Sequence, residues 1–241
     1  MNYNKKGYIV RISENALIHM VLNGLEAYSV LHECKNCKSN NLETYGQVWG
    51  HVNILPNGKT LYCVEMMTVD TSANRTKNSV EPNDDALILK KDIMSSFWPQ
   101  YEFLGDFHTH PYKKYNEVIE KRLYNFSKED IKSIEDYSED WIKHKYRLGI
   151  VLSIAGMKKK GSKCPDWINN STIEFTLGNY RFWLKGYITY LDESNMLKVN
   201  DHDDENIILD CPAVVGLIDE YSKFGRLVSE PRSIYHKSGE I

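Results

Sequence analysis

The stretch that most constrains the fold is Gly105-Asp106-Phe107-His108-Thr109-His110-Pro111. An apolar, aromatic run from Phe97 to Phe107 leads into it, and a proline stops it. A strand repeats its side-chain direction every second residue, so His108 and His110 share one face. Two imidazoles on one face at a strand's end suit a divalent transition metal. The chain around them must therefore supply a sheet that buries the aromatic run, and further ligands that reach its end.

The patterning predicts such a sheet. Tyr8 to Ile12 alternates as a short strand, and Ser13 is placed to cap a helix with Leu17, Ile18, Val21, Leu22 and Leu25 at helical spacing. His19 falls on that helix's polar side as a surface residue. Leu42 to Ile54 and Thr60 to Asp70 read as strands around the turn Pro56-Asn57-Gly58-Lys59, with Tyr62, Val64 and Met66 on one face. Thr71 to Asp84 is polar and aperiodic, either a flap beside a functional surface or a mobile loop. A helix follows from Asp84 or Asp85 to Phe97, and Tyr101 to His108 is the central strand.

Beyond it, Tyr112 to Phe126 reads as a short helix or ordered loop, and Ser127 opens a helix through about Ile142. Tyr146 to Ile154 is strand-like and Lys158 to Asn170 a polar connection. Thr172 to Leu177 and Tyr180 to Leu191 form a hairpin around Gly178-Asn179. Ser194 to Glu205 is acidic and exposed, and Pro212 begins a last helix through Tyr221. The order lacks the regular alternation of a barrel or a doubly wound sheet, which predicts an α+β domain with one central mixed sheet.

With 241 residues and 41% apolar composition, the chain has enough material for a sizeable core. Its net charge of -3 provides no general attraction to nucleic acid or an anionic membrane. Met1 to Lys6 lacks the apolar core of a signal peptide, and no run reaches membrane-spanning length. Five unevenly spaced cysteines do not resemble a disulfide scaffold, so the expectation is a cytoplasmic, reducing environment. Cys34 and Cys37 have the spacing of half a structural zinc site; two free thiols in a polar loop is the plainer alternative.

A catalytic metal usually takes three protein ligands and keeps one position open. Asp130, in Phe126-Ser127-Lys128-Glu129-Asp130, can fold back over the strand end as the third ligand. Ser127 with Asp130 also fits a helix-capping pattern that needs no chemistry, and the two roles are compatible. Glu43, on the hairpin, is available as a general base and is equally an ordinary strand residue.

Together these residues resemble the JAMM (MPN+, JAB) metalloprotease family, which combines an upstream Glu, His-x-His-Pro and Ser-x-x-Asp. The counterparts are Glu43, then His108-Thr109-His110-Pro111, then Ser127-Lys128-Glu129-Asp130. Glu43-Thr44-Tyr45-Gly46-Gln47-Val48-Trp49-Gly50 resembles the family's Glu-x-x-Gly-x-x-x-Gly strand, and Gly105 stands three residues before the first histidine, as in the family. The resemblance covers about residues 8 to 155.

It implies a JAMM/MPN-like, cytidine-deaminase-like sheet flanked by helices. Residues 1–155 would be the catalytic core; 156–241, which the motif does not cover, is read as a C-terminal extension completing the same domain or as a partner-binding region. It also implies one catalytic Zn2+ on His108, His110 and Asp130, with Glu43 moving protons and Ser127 stabilising an oxyanion. The substrate would be a protein or peptide, with ubiquitin-like conjugates as one class. The chain departs from the family in the 16 residues between His110 and Ser127, a longer segment than is usual. Two other readings remain: a non-catalytic scaffold of the same family, and a phosphoesterase or amidohydrolase opening on Asp106-Phe107-His108-Thr109-His110.

Overall fold

A computed structural model describes residues 7–34, 37–136, 138–144, 146–158, 165–191, 194, 196–200 and 206–214. Strand β1 (Tyr8–Ile12) enters helix α1 (Glu14–Ser29), where the Ser13 hydroxyl accepts from the Ala16 amide at 3.2 Å. The helix buries Ala16, Leu17, Met20, Val21, Gly24, Ala27 and Tyr28, while Ile18 and Leu22 are exposed. The buried stripe is thus rotated from the predicted one. His19, expected at the surface, is half-buried, with its Nδ1 against the Met67 carbonyl.

A small hairpin of β2 (His32–Cys34) and β3 (Cys37–Ser39) replaces the predicted polar loop. The thiols of Cys34 and Cys37, and with them the structural-zinc expectation, lie outside the described side chains. Next come β4 (Tyr45–Ile54) and β5 (Thr60–Val69), joined by a turn where Gly58 takes the positive φ of 79° that favours glycine. Opposite the Trp49/Gly50 step, β5 carries a bulge at Glu65. The extra residue reverses the alternation, so Met67 and not Met66 is buried after Tyr62 and Val64.

The aperiodic stretch after β5 folds into a second hairpin, β6 (Asn74–Arg75) and β7 (Val80–Glu81), followed by α2 (Asp84–Phe97) with Asn83 as its cap. Strand β8 (Glu102–Tyr112) extends through both histidines and past Pro111. Gly105 permits its pairing: a Cβ there would lie 1.8 Å from the Leu148 carbonyl oxygen. After α3 (Tyr115–Glu120), the stretch predicted as a helix from Ser127 is helical on both sides of residue 137, as α4 (Lys128–Asp136) and α5 (Ser138–His144).

The remaining strands are β9 (Leu148–Gly156), β10 (Asp166–Asn169), β11 (Thr172–Leu177), β12 (Tyr180–Leu191), β13 (Leu197–Val199) and β14 (Ile207–Asp210). The main sheet runs β10-β11-β12-β9-β8-β4-β5-β1-β14, with β13 beside β12. It is mixed: β8 pairs parallel with β9 and antiparallel with β4. The course expected after Pro212 as far as Tyr221 lies outside the described residues, apart from a helical turn at Pro212–Val214.

One sheet face packs on α1 through Val10, Met20, Leu104, Phe107, Ile150 and Leu152. On the other, Phe126, Ile134, Val151 and Tyr187 hold α4 down, and Val118, Tyr124 and Trp183 hold α3. Truncating a buried aromatic such as Trp183 would cost about 3–5 kcal/mol. This curled mixed sheet with flanking helices matches the α+β JAMM/MPN-like fold. No described helix is long and apolar enough to cross a membrane.

Candidate metal centre

His108 and His110 point to the face covered by α3 and α4, near the end of β8, and both are buried. Asp130 reaches them from the first turn of α4. Its position is set by a reciprocal cap: the Ser127 amide donates to Asp130 Oδ2 at 2.7 Å, and the Asp130 amide donates to Ser127 Oγ at 3.0 Å. The predicted capping pattern and the predicted ligand are therefore the same structure.

The ligand atoms converge. His108 Nε2 and His110 Nε2 are 3.2 Å apart; His108 Nε2 lies 3.5 Å from Asp130 Oδ1, and His110 Nε2 3.2 Å from Asp130 Oδ2. Bonds of about 2.0–2.1 Å in a tetrahedron would put neighbouring ligand atoms about 3.3 Å apart. Donor type and spacing thus fit a divalent metal, and this is the cluster of that kind among the described residues.

The side chains of the cluster hold charge by mutual compensation. Burial acts to lower the His108 pKa, but Asp130, Asp106 and Glu43 outweigh it and raise it to about 9. Burial acts to raise the Asp130 carboxyl, yet the two imidazoles hold it well below the usual carboxylate range. His110 is lowered, chiefly by its burial.

The long segment after Pro111 contributes to the centre. The Tyr112 hydroxyl donates to the Leu123 carbonyl at 2.8 Å and contacts His110 Nδ1 at 3.4 Å. Its one proton is used on Leu123, so toward Nδ1 it can only accept. That contact selects the Nδ1–H tautomer and leaves the Nε2 lone pair facing the cluster. His108 stacks on Phe126, at 5.7 Å between centroids and 10° between planes. Phe126 in turn stacks on Tyr187, whose hydroxyl accepts from the Phe126 amide. Sequence reasoning missed Tyr112, Leu123 and Tyr187.

Glu43 does not lie within a strand, as predicted, but just before β4. Its amide donates to the Thr76 carbonyl at 2.8 Å, and the Thr44 amide donates to Thr109 Oγ1 at 2.9 Å. These bonds tie it to the β6–β7 hairpin on one side and the ligand strand on the other. The side chain is buried and lines the same cleft as His108, His110, Ser127 and Asp130, a space of about 690 Å³. Burial raises its carboxyl to about 7, with His108 acting against the shift and Asp130 adding to it.

Fold and site together define a class: a JAMM/MPN-like α+β domain with a buried His-His-Asp cluster of the JAMM type, suited to metal-dependent hydrolysis. No protein-family model matches the chain, and no curated protein matches it.

Proposed function

We propose that this chain is a zinc-dependent hydrolase of peptide or isopeptide bonds, of the JAMM (MPN+, JAB) type. One observation carries the reading: a metal-shaped triad shares its cleft with a buried carboxylate, Glu43, whose backbone is held from both sides. His108, His110 and Asp130 would hold the ion. When bound, it supplies Lewis-acid polarisation of a carbonyl and of water.

The chain's own groups move the protons. Glu43 takes one from the attacking water as the oxygen adds to the carbonyl carbon, then gives it to the amine nitrogen as the C–N bond breaks. A carboxyl near neutrality is matched to both transfers. Ser127 Oγ already accepts from the Asp130 amide, so its own proton is free to point at the oxyanion. It acts as a donor and not as a nucleophile, and no covalent intermediate forms.

The substrate is a protein or peptide, with a ubiquitin-like tail as one class. Two segments beside the centre are candidates to take an extended substrate as an added strand, β4 and the 71–84 stretch. Strand β4 is paired on both sides, with β5 and β8, and offers no edge. The β6–β7 hairpin lines the cleft through Lys77 to Pro82 and is the better dock. The barrel phosphoesterase reading finds no second ligand cluster among the described residues. We also place the chain in a reducing compartment such as the cytoplasm, in keeping with Cys63 and Cys211, which are free thiols.

The test is metal content beside Asp130→Ala and His108→Ala, followed by a panel of peptide and isopeptide substrates. The expectation is about one zinc per chain, mostly lost in both variants, and turnover that follows the zinc. Protein that binds no zinc during folding, or zinc-loaded protein inert to the whole panel, would sink the reading.

A further inference from the structure

The cleft contains a carboxylate that the proposed chemistry does not use. Asp106 lies on β8 two residues before His108, on the same face, and lines the cleft floor about 7 Å along the strand from that ligand. Its residue is 7% exposed, and no hydrogen bond reaches Oδ1 among the described residues. Oδ1 is sealed beside Gly149 and the Phe126 ring, so the carboxyl meets the cleft through its other oxygen, and a carboxylate this buried is costly to keep without a compensating partner.

The surroundings indicate what would do so. Tyr45 and Tyr146 stand beside Asp106, their hydroxyls 3.1 Å apart, and each feels the Asp106 charge. Trp141 packs on Tyr146 at 4.5 Å between ring centroids and also lines the cleft. Aromatic faces around a carboxylate attract an ammonium or guanidinium by cation–π contact as well as by charge. The rest of the lining agrees: Glu43, Glu81, Glu129 and Asp130 are acidic, and Lys77 is the lining's basic residue besides the histidines.

We propose that Asp106, walled by Tyr45, Tyr146 and Trp141, is a subsite for a cationic group of the substrate, an arginine or lysine side chain beside the scissile bond. The inference rests on this cleft being the substrate site. It adds a substrate class to the proposed hydrolase: peptides or conjugates basic next to the cleaved bond.

The experiment is calorimetric binding of acetyl-Gly-Gly-Arg-amide and of its citrulline counterpart, a neutral isostere, to the full chain. Zinc-loaded and chelator-treated protein are both titrated. The arginine peptide should bind about tenfold tighter in each, since a charged hydrogen bond is gained. Asp106→Asn should bring the two affinities within about twofold of each other; Asp106→Ala serves if the asparagine variant does not fold. Equal affinities in the unchanged protein, or a preference that survives in a folded Asp106 variant, would overturn the subsite. Because binding needs no turnover, a chain that prefers arginine but cleaves nothing refutes only the hydrolase. A chain that cleaves peptides without the preference refutes only the subsite.

Discussion

Replacing Tyr112 by phenylalanine removes one hydroxyl and keeps the ring that lies edge-on to His110. If that hydroxyl fixes the imidazole tautomer, zinc affinity should fall about 10–100-fold with the fold intact. Competition with a chromophoric chelator measures this directly. Glu43→Gln should instead keep the zinc and lose about 10²–10⁴ in kcat. It also has a signature in the metal-free protein. The folded carboxyl titrates at about 7, above its ordinary value of 4.5. Between those pH values the folded chain holds more protons than the unfolded one, so stability falls as pH rises through the window. Glutamine escapes the penalty. The variant should match the parent near pH 4 and exceed it by on the order of 2–3 kcal/mol above pH 7, as urea unfolding at the two pH values would show. His108, His110, Ser127, Asp130 and Glu43, which share one cleft, stood out in the sequence through their residue types and their spacing. The Leu123 carbonyl did not, because a backbone acceptor leaves no mark on residue type.

At the scale of elements, the centre is framed by segments that sequence patterning describes least well. Stretch 71–84 has no periodicity because β6 and β7 are too short to show one, yet Thr76 anchors Glu43 and Lys77 to Pro82 form a cleft wall. Alanine across 77–80 should raise KM for a protein substrate several-fold and leave kcat on a short peptide nearly unchanged. Steady-state kinetics on the two substrates would separate a docking role from a catalytic one, and equal KM values in parent and variant would remove the docking role. Helix α1 was legible in extent, through Ser13 and its apolar residues, but its buried stripe was not. Small residues Ala16, Gly24 and Ala27 let it approach the sheet, which turns Ile18 and Leu22 outward. The bulge at Glu65 was hidden for a related reason: one unpaired residue reverses an alternation without changing its composition.

Across the whole molecule, the mixed sheet followed from the order of patterns, but its closing pair did not. Strand β14 joins β1 in parallel from about 200 residues away in sequence, and four residues after an acidic stretch give little signal. The same long reach touches the metal centre. Tyr187 of β12 stacks on Phe126, which stacks on His108. A chain cut at residue 156 would retain every ligand and lose that support, and β9 would become a bare edge where β12 now pairs. Such a fragment should bind zinc more weakly than the full chain and aggregate, as a chelator titration beside light scattering would show.

That dependence carries into synthesis. The ligands have all been added to the chain by residue 130, but β9, which pairs with their strand, and β12, which pairs with β9 and braces the centre through Tyr187, are made only later. Metal capture would then be among the last events of the chain's maturation, and a nascent chain would lack a braced metal centre until most of its length has been made.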